Sequence, residues 1–101
     1  MRLEQLQYIV EIDKTKSISK AAKNLYITQP SISAAISALE KELNIKIFER
    51  NKNGVEPTPE GERIVFLARE VLSKTQEIYT VKNDDTANIE VMTIPAINSG
   101  I

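Results

Sequence analysis

The sequence predicts a mainly α chain: three short helices and a small β-hairpin, then one long helix. Three observations carry this. Apolar residues recur at helical spacing through Leu3–Val10, through Ile32–Leu43 and again after Pro59. Thr followed closely by Pro, a strong helix start, stands at Thr28–Pro30 and at Thr58–Pro59. An Asn53–Gly54 pair sits between two short apolar runs, a hairpin signal.

The first helix is expected over residues 3–14. Leu3, Leu6, Ile9 and Val10 form one stripe, and Tyr8 and Ile12 add a second that needs its own cover. "KTKS" ends it. Ser19 is the expected N-cap of a short second helix in "KAAKNLY", where Ala21 and Ala22 are small enough for a close helix crossing and Leu25 and Ile27 turn to the core. Two residues later Thr28 caps a third helix, with Pro30 in its first turn and Asn44 at its end. The turn between these helices lacks the glycine often found there.

Ile32, Ile36, Leu39 and Leu43 are the buried stripe of the third helix. The opposite stripe is Pro30, Ser33, Ala34, Ser37 and Lys41, unusually small and nearly uncharged for a solvent-facing surface. "IKIFER" alternates as a strand, "NKNG" turns, and "VEPT" returns, with Pro57 confined to an edge or an end. From Thr58–Pro59–Glu60 a helix runs without a breaker to about Lys82. It is apolar on all sides through Ile64–Ala68 and keeps one stripe further on, at Val71, Leu72, Thr75, Ile78 and Tyr79. "NDDTAN" reads as a linker and "IEVMTI" as a strand, which cannot bury itself alone. The chain therefore divides into 1–58, 59–82 and 83–101, the last ending just inside a further domain.

Composition narrows the functions. The 101 residues contain neither Cys nor His, so disulfides, thiolate metal sites and the commonest acid–base group are excluded. Three glycines cannot make a phosphate-cradling loop. No metal or cofactor is expected, and no enzyme activity. A Ser–Lys pair one turn apart (Ser37, Lys41) has no oxyanion hole or pocket beside it. No apolar run reaches the ~20 residues of a membrane span, and the N-terminus lacks the pattern of a signal peptide, so a cytoplasmic protein without membrane contact is expected. Residues 1–58 hold nine basic against seven acidic groups, and residues 59–101 hold four against seven. The first part thus permits an anionic partner without demanding one.

Three helices with a tight turn before the third, followed by a hairpin, make a winged helix-turn-helix, whose third helix typically lies in the major groove of DNA. A helix enters that groove only if its outer face is narrow. Ser33, Ala34 and Ser37 allow close approach, Gln29 can pair bidentately with an adenine edge, and Pro30 and Ala34 can meet a thymine methyl. The N-terminus of this helix has no acid from Gln29 to Leu39 and can aim its N–H groups at a phosphate. Taken alone, Gln29–Pro30–Ser31 is equally a plain helix start.

The stretch "SISKAAKNLYITQPSISAAISALEKELNIKIFERNKNGVEPTPEGERI" resembles the N-terminal domain of LysR-type transcriptional regulators. The shared pattern is "AA..L", then "(S/T)QP..S..I..LE..LG..LF.R", then a wing ending "T..G". It is matched by Ala21, Ala22, Leu25, Thr28, Gln29, Pro30, Ser33, Ile36, Leu39, Glu40, Leu43, Ile47, Phe48, Arg50, Thr58 and Gly61.

The resemblance implies a sequence-specific regulator that binds double-stranded, pseudo-palindromic DNA as a homodimer, with tetramers expected of full-length members. Its implied DNA contacts are Thr28, Gln29, Pro30, Ser31, Ser33, Ala34 and Ser37. Arg50, Lys52 and Asn53 of the wing join them, and Lys20 and Lys23 serve phosphate contact or plain solvation equally well. The long helix pairs antiparallel with its twin under the first helix, implicating Tyr8, Ile12, Ile64, Leu67, Ala68, Val71, Leu72, Thr75, Ile78 and Tyr79. A small-molecule effector would need the missing domain, although Ala96, Ile97, Asn98 and Ser99 match a loop that lines its pocket. Three positions depart from the pattern: Ala34 follows Ser33 where a basic residue is usual, the wing tip is "NKNG" rather than Arg-rich, and Asn44 replaces Gly. Each lost phosphate contact flattens the salt dependence of binding by ~0.9 in slope. A winged helix that docks on protein instead of DNA is the competing reading.

Overall fold

Helix α1 (Leu3–Thr15) ends where Lys16 takes a left-handed conformation, φ 56°, and returns its N–H to Ile12 O at 2.7 Å. The computed structural model describes residues 1–87, with side-chain exposure through Val81. After α1 come α2 (Ile18–Asn24), α3 (Gln29–Leu43), β1 (Phe48–Asn51), β2 (Gly54–Pro57) and α4 (Pro59–Ala87). The expected mainly α, winged helix-turn-helix arrangement is present.

Two details differ from the expectation at α2. Its N-cap is Ser17, not Ser19: the Ser17 hydroxyl accepts from Lys20 N at 3.1 Å. The reason is Ile18, which is buried and so must already belong to the helix. The second detail is the turn into α3. Ile27 N–H donates to Ala22 O and Tyr26 N–H to Lys23 O, the paired bonds of a Schellman closure. That closure puts one residue in the left-handed region, usually Gly. Here it is Tyr26, with φ 60° and 96% exposure. Helix α3 closes in the same way, through Ile45 N–H to Glu40 O and Asn44 N–H to Lys41 O, with Asn44 at φ 56°. Asn tolerates that conformation, so it can stand where a glycine is usual.

The core gathers Leu6, Ile9 and Ile12 of α1, Ile18, Ala21 and Ala22 of α2, Ile32, Ile36 and Leu39 of α3, and Val65 and Ala68 of α4, closed by Ile47 and by Phe48 and Val55 of the hairpin. Burying a side chain of this kind contributes about 1.5–3 kcal/mol. Gln5 is buried among them. Its Oε1 accepts from Arg2 N at 2.7 Å, and its Nε2 donates to Ala35 O at 3.1 Å, seating the middle of α3 on α1.

The hairpin is antiparallel, with Phe48 opposite Pro57 and Asn51 opposite Gly54. Its loop is Lys52–Asn53, and both residues keep negative φ, so the turn is not the type I′ that Asn53–Gly54 suggests. Gly54 instead opens β2 at φ 128°. A Cβ there would stand 2.5 Å from Lys16 O, the same carbonyl that accepts from Val55 N. The glycine lets the end of α1 press against the wing. Across the molecule, Asp13 meets both Lys16 Nζ at 2.8 Å and the Arg69 guanidinium at 3.1 Å, an α1–α4 tie of modest worth at an exposed edge.

Helix α4 starts as expected. Thr58 caps it, accepting from Gly61 N at 2.9 Å, with Pro59 first and Glu60 and Glu62 in the first turn. It runs to Ala87, five residues past the expected end, so "NDDTA" is helical rather than linker. No Gly or Pro stands between Gly61 and Pro95, and polarity alone does not break a helix. The strand expected at 89–94 and the loop at 96–99 lie outside the described residues. Among those described, no helix is long and apolar enough to cross a membrane.

Candidate nucleic-acid interface

The N-terminus of α3 is built by Thr28. Its extended backbone ends the turn, and its hydroxyl accepts from Ser31 N at 3.2 Å while donating to Ser31 Oγ at 2.8 Å. No acid lies in the first turn of α3. With Ile32, Ile36 and Leu39 fixed in the core, the helix has one rotation about its axis. That rotation exposes Gln29, Pro30, Ser31, Ala34, Ser37 and Lys41 and leaves Ser33 half-buried. The surface is narrow because nothing on it is longer than Gln29 until Lys41 is reached.

Beside α3 stands the wing. A small hollow of about 80 Å³ is lined by Ser33, Ser37 and Glu40 of α3, by Phe48 and Arg50 of β1, by Lys46 and by Ile18. The structure thus brings Ser33 and Ser37 together with Arg50. Lys52 and Asn53 are exposed at the hairpin tip, outside that hollow, and Lys20 and Lys23 are exposed on α2.

Two residues in this region escape a reading of the sequence. Lys46 is an exposed cation lining the hollow; the alternation of "IKIFER" marks it only as solvent-facing, not as a neighbour of α3. Glu40 reads as one more helix-surface acid. Its Oε2 accepts from Ile47 N at 2.8 Å and from Phe48 N at 3.2 Å. Only the folded chain brings those N–H groups within reach.

A second surface lies where α1, the end of α3 and the first half of α4 meet. An apolar groove of about 360 Å³ is lined by Met1, Leu3 and Leu6, by Leu39 and Leu43, and by Ile64, Leu67 and Val71. Part of the expected pairing surface is already covered within the chain: Ile12 is 0% exposed and Ala68 2%, and Ala68 also lines the groove. Tyr8, Ile64, Leu72 and Thr75 are half-buried, while Leu67, Val71, Ile78 and Tyr79 are exposed. Leu3, Phe66 and Val81 are also exposed and were not expected there.

Known proteins match this architecture. Residues 3–62 fit the model of the bacterial regulatory helix-turn-helix protein, lysR family. The chain is similar to the HTH-type transcriptional regulator CysB of Haemophilus influenzae, 40% identical over 98% of this chain and 32% of that protein. It is similar to the uncharacterized HTH-type transcriptional regulator YoaU of Bacillus subtilis, 32% identical over all of this chain and 37% of that one. It therefore spans about a third of the length of these curated relatives. Among solved structures it is similar to the BenM DNA-binding domain in complex with catB site 1 DNA, with TM-score 0.79, 34% identity, and coverage of 86% of this chain and 94% of that one. A CbnR DNA-binding domain–DNA complex matches with TM-score 0.78, 28% identity, and coverage of 85% and 99%. The matched family model, which covers more than half of the residues, and the fold agree: the chain belongs to the LysR family of bacterial regulatory helix-turn-helix proteins.

Proposed function

We propose that this chain is the DNA-binding region of a LysR-type transcriptional regulator, acting in the cytoplasm as a dimer on a pseudo-palindromic duplex. The observation that carries the reading is the outer face of α3. It is narrow and neutral from Pro30 to Ser37, begins at an acid-free helix N-terminus, and is flanked by Arg50 of the wing. In this reading α3 seats in the major groove. Gln29 reads a base edge, Ser33 and Ser37 bond bases or phosphates, and Pro30 and Ala34 meet thymine methyls. Thr28, Ser31 and the helix N-terminus hold a phosphate. Arg50, Lys52 and Asn53 lie along the backbone, and Lys20 and Lys23, exposed on α2, add cations for phosphate. The solved DNA complexes of BenM and CbnR domains support it.

The apolar groove and the exposed stripe at Leu67, Val71, Ile78 and Tyr79 support pairing through α4. Pairing presents two copies of α3 to two half-sites. Tetramer assembly and response to a small-molecule effector belong, in this reading, to the part of the protein beyond this third.

Electrophoretic mobility shift on AT-rich palindromic duplexes across a salt series tests the proposal. The expected result is retention that weakens with salt, log K falling linearly with log salt concentration. A chain that retains no duplex at low salt, or retains all sequences alike, would overturn sequence-specific binding.

A further inference from the structure

Resting on that reading, we infer that Glu40 is a positioning residue that locks the wing to the reading helix, so that Arg50 and the face of α3 meet DNA as one rigid unit. The run Lys46–Phe48 is gripped from two sides. On its N–H side, one carboxylate oxygen of Glu40 accepts from both Ile47 and Phe48. On its carbonyl side, Thr58 Oγ1 donates to Lys46 O at 2.5 Å and Thr58 N to Ile47 O at 2.9 Å. Arg50 follows two residues later and shares the hollow with Ser33, Ser37 and Glu40 itself. The Glu40 bonds are the side of the grip that ties the run to α3, since Glu40 belongs to that helix.

A negative charge this close to a DNA-facing surface opposes phosphate. Its presence is accounted for by what it holds. Losing it frees two backbone N–H groups and lets β1 drift from α3. Arg50 then no longer reaches its phosphate while α3 sits in the groove.

The test is a double-mutant cycle on the full 101-residue chain. Fluorescence anisotropy is read on the palindromic duplex that the wild type binds most tightly, at several salt concentrations. Arg50→Ala is expected to weaken binding roughly fivefold and flatten the salt slope by about 0.9. Glu40→Ala is expected to do the same, and the double variant to be no weaker than either single one. Glu40→Gln keeps an oxygen that can accept both N–H groups and is expected to restore affinity to within about twofold of wild type. Glu40→Asp keeps the charge but is too short to reach, so it is expected to behave as Glu40→Ala, and it serves where the alanine variant does not fold. Hydrogen exchange at the Ile47 and Phe48 amides is expected to quicken in Ala and Asp but not in Gln. Additive losses in the Glu40→Ala (or Glu40→Asp) and Arg50→Ala cycle would overturn the inference, as would a Gln variant as weak as Ala. Wild-type chain that binds no duplex would overturn the DNA reading and this inference with it, whereas wild-type binding with additive losses overturns the inference alone.

Discussion

Gly61 lies against the carbonyl of Ile47. A Cβ at position 61 would overlap that oxygen and crowd Thr58 Oγ1. The contact joins the first turn of α4 to the residue that leads into β1, where Thr58 N–H already bonds Ile47 O at 2.9 Å. Gly61→Ala, favourable in an isolated helix, is therefore expected to destabilise the chain by about 2–3 kcal/mol, because the obstructing atom is backbone and cannot swing aside. Urea denaturation checks this; a midpoint at or above that of wild type would show the overlap relaxes at no cost.

Tyr26 occupies a left-handed position that residues other than Gly, Asn and Asp rarely take. Its side chain is almost wholly in solvent and offsets none of that cost. Tyr26→Asn is expected to raise stability by roughly 0.5–1 kcal/mol, seen as a thermal midpoint a few degrees higher. A lower midpoint would mean that the ring makes a stabilising contact despite its exposure.

Gln29 is exposed at the first position of α3. Gln29→Ala is expected to cost ~1–3 kcal/mol on the preferred duplex and to relax preference at one base pair. Binding to a library of single-substituted duplexes measures both, and an unchanged preference at every position would remove Gln29 from the reading role.

Ile78 is 69% exposed far along α4, beyond the reach of the chain's own core. A symmetric pairing carries any substitution there twice. Ile78→Asp is expected to weaken self-association by about tenfold or more while leaving the thermal midpoint of the dilute chain unchanged. Sedimentation velocity over a concentration series decides it; an undisturbed dimer would reject pairing through this stretch.

Most of the helical frame was legible because its signals are local. Thr28 and Thr58 with their prolines start α3 and α4, and the stripe Ile32–Ile36–Leu39 orients α3 before any tertiary contact is known. Where the fold departs from the local signals, the cause is also local. Ser17 and Ser19 are equally good caps in isolation, and only the burial of Ile18 chooses between them. Asn53–Gly54 marks the hairpin where it forms, while the turn type and the close approach of Lys16 O to Gly54 show only in the fold. "NDDTA" is polar enough to suggest a linker, but polarity does not by itself end a helix, and α4 runs through it.

By itself, the sequence determined where α3 and α4 start, which face of α3 is apolar, and that its other face is small and nearly uncharged, since spacing and side-chain size are properties of the chain alone. Tertiary structure decided which apolar residues remain outside. It buried Ile12 and Ala68 between α1 and α4 and left Leu3, Leu67 and Val71 around an open groove. It also decided that Glu40 grips the wing and that Lys46 stands beside Ser33 and Ser37. Those facts depend on distances between elements remote in sequence, which no local pattern encodes.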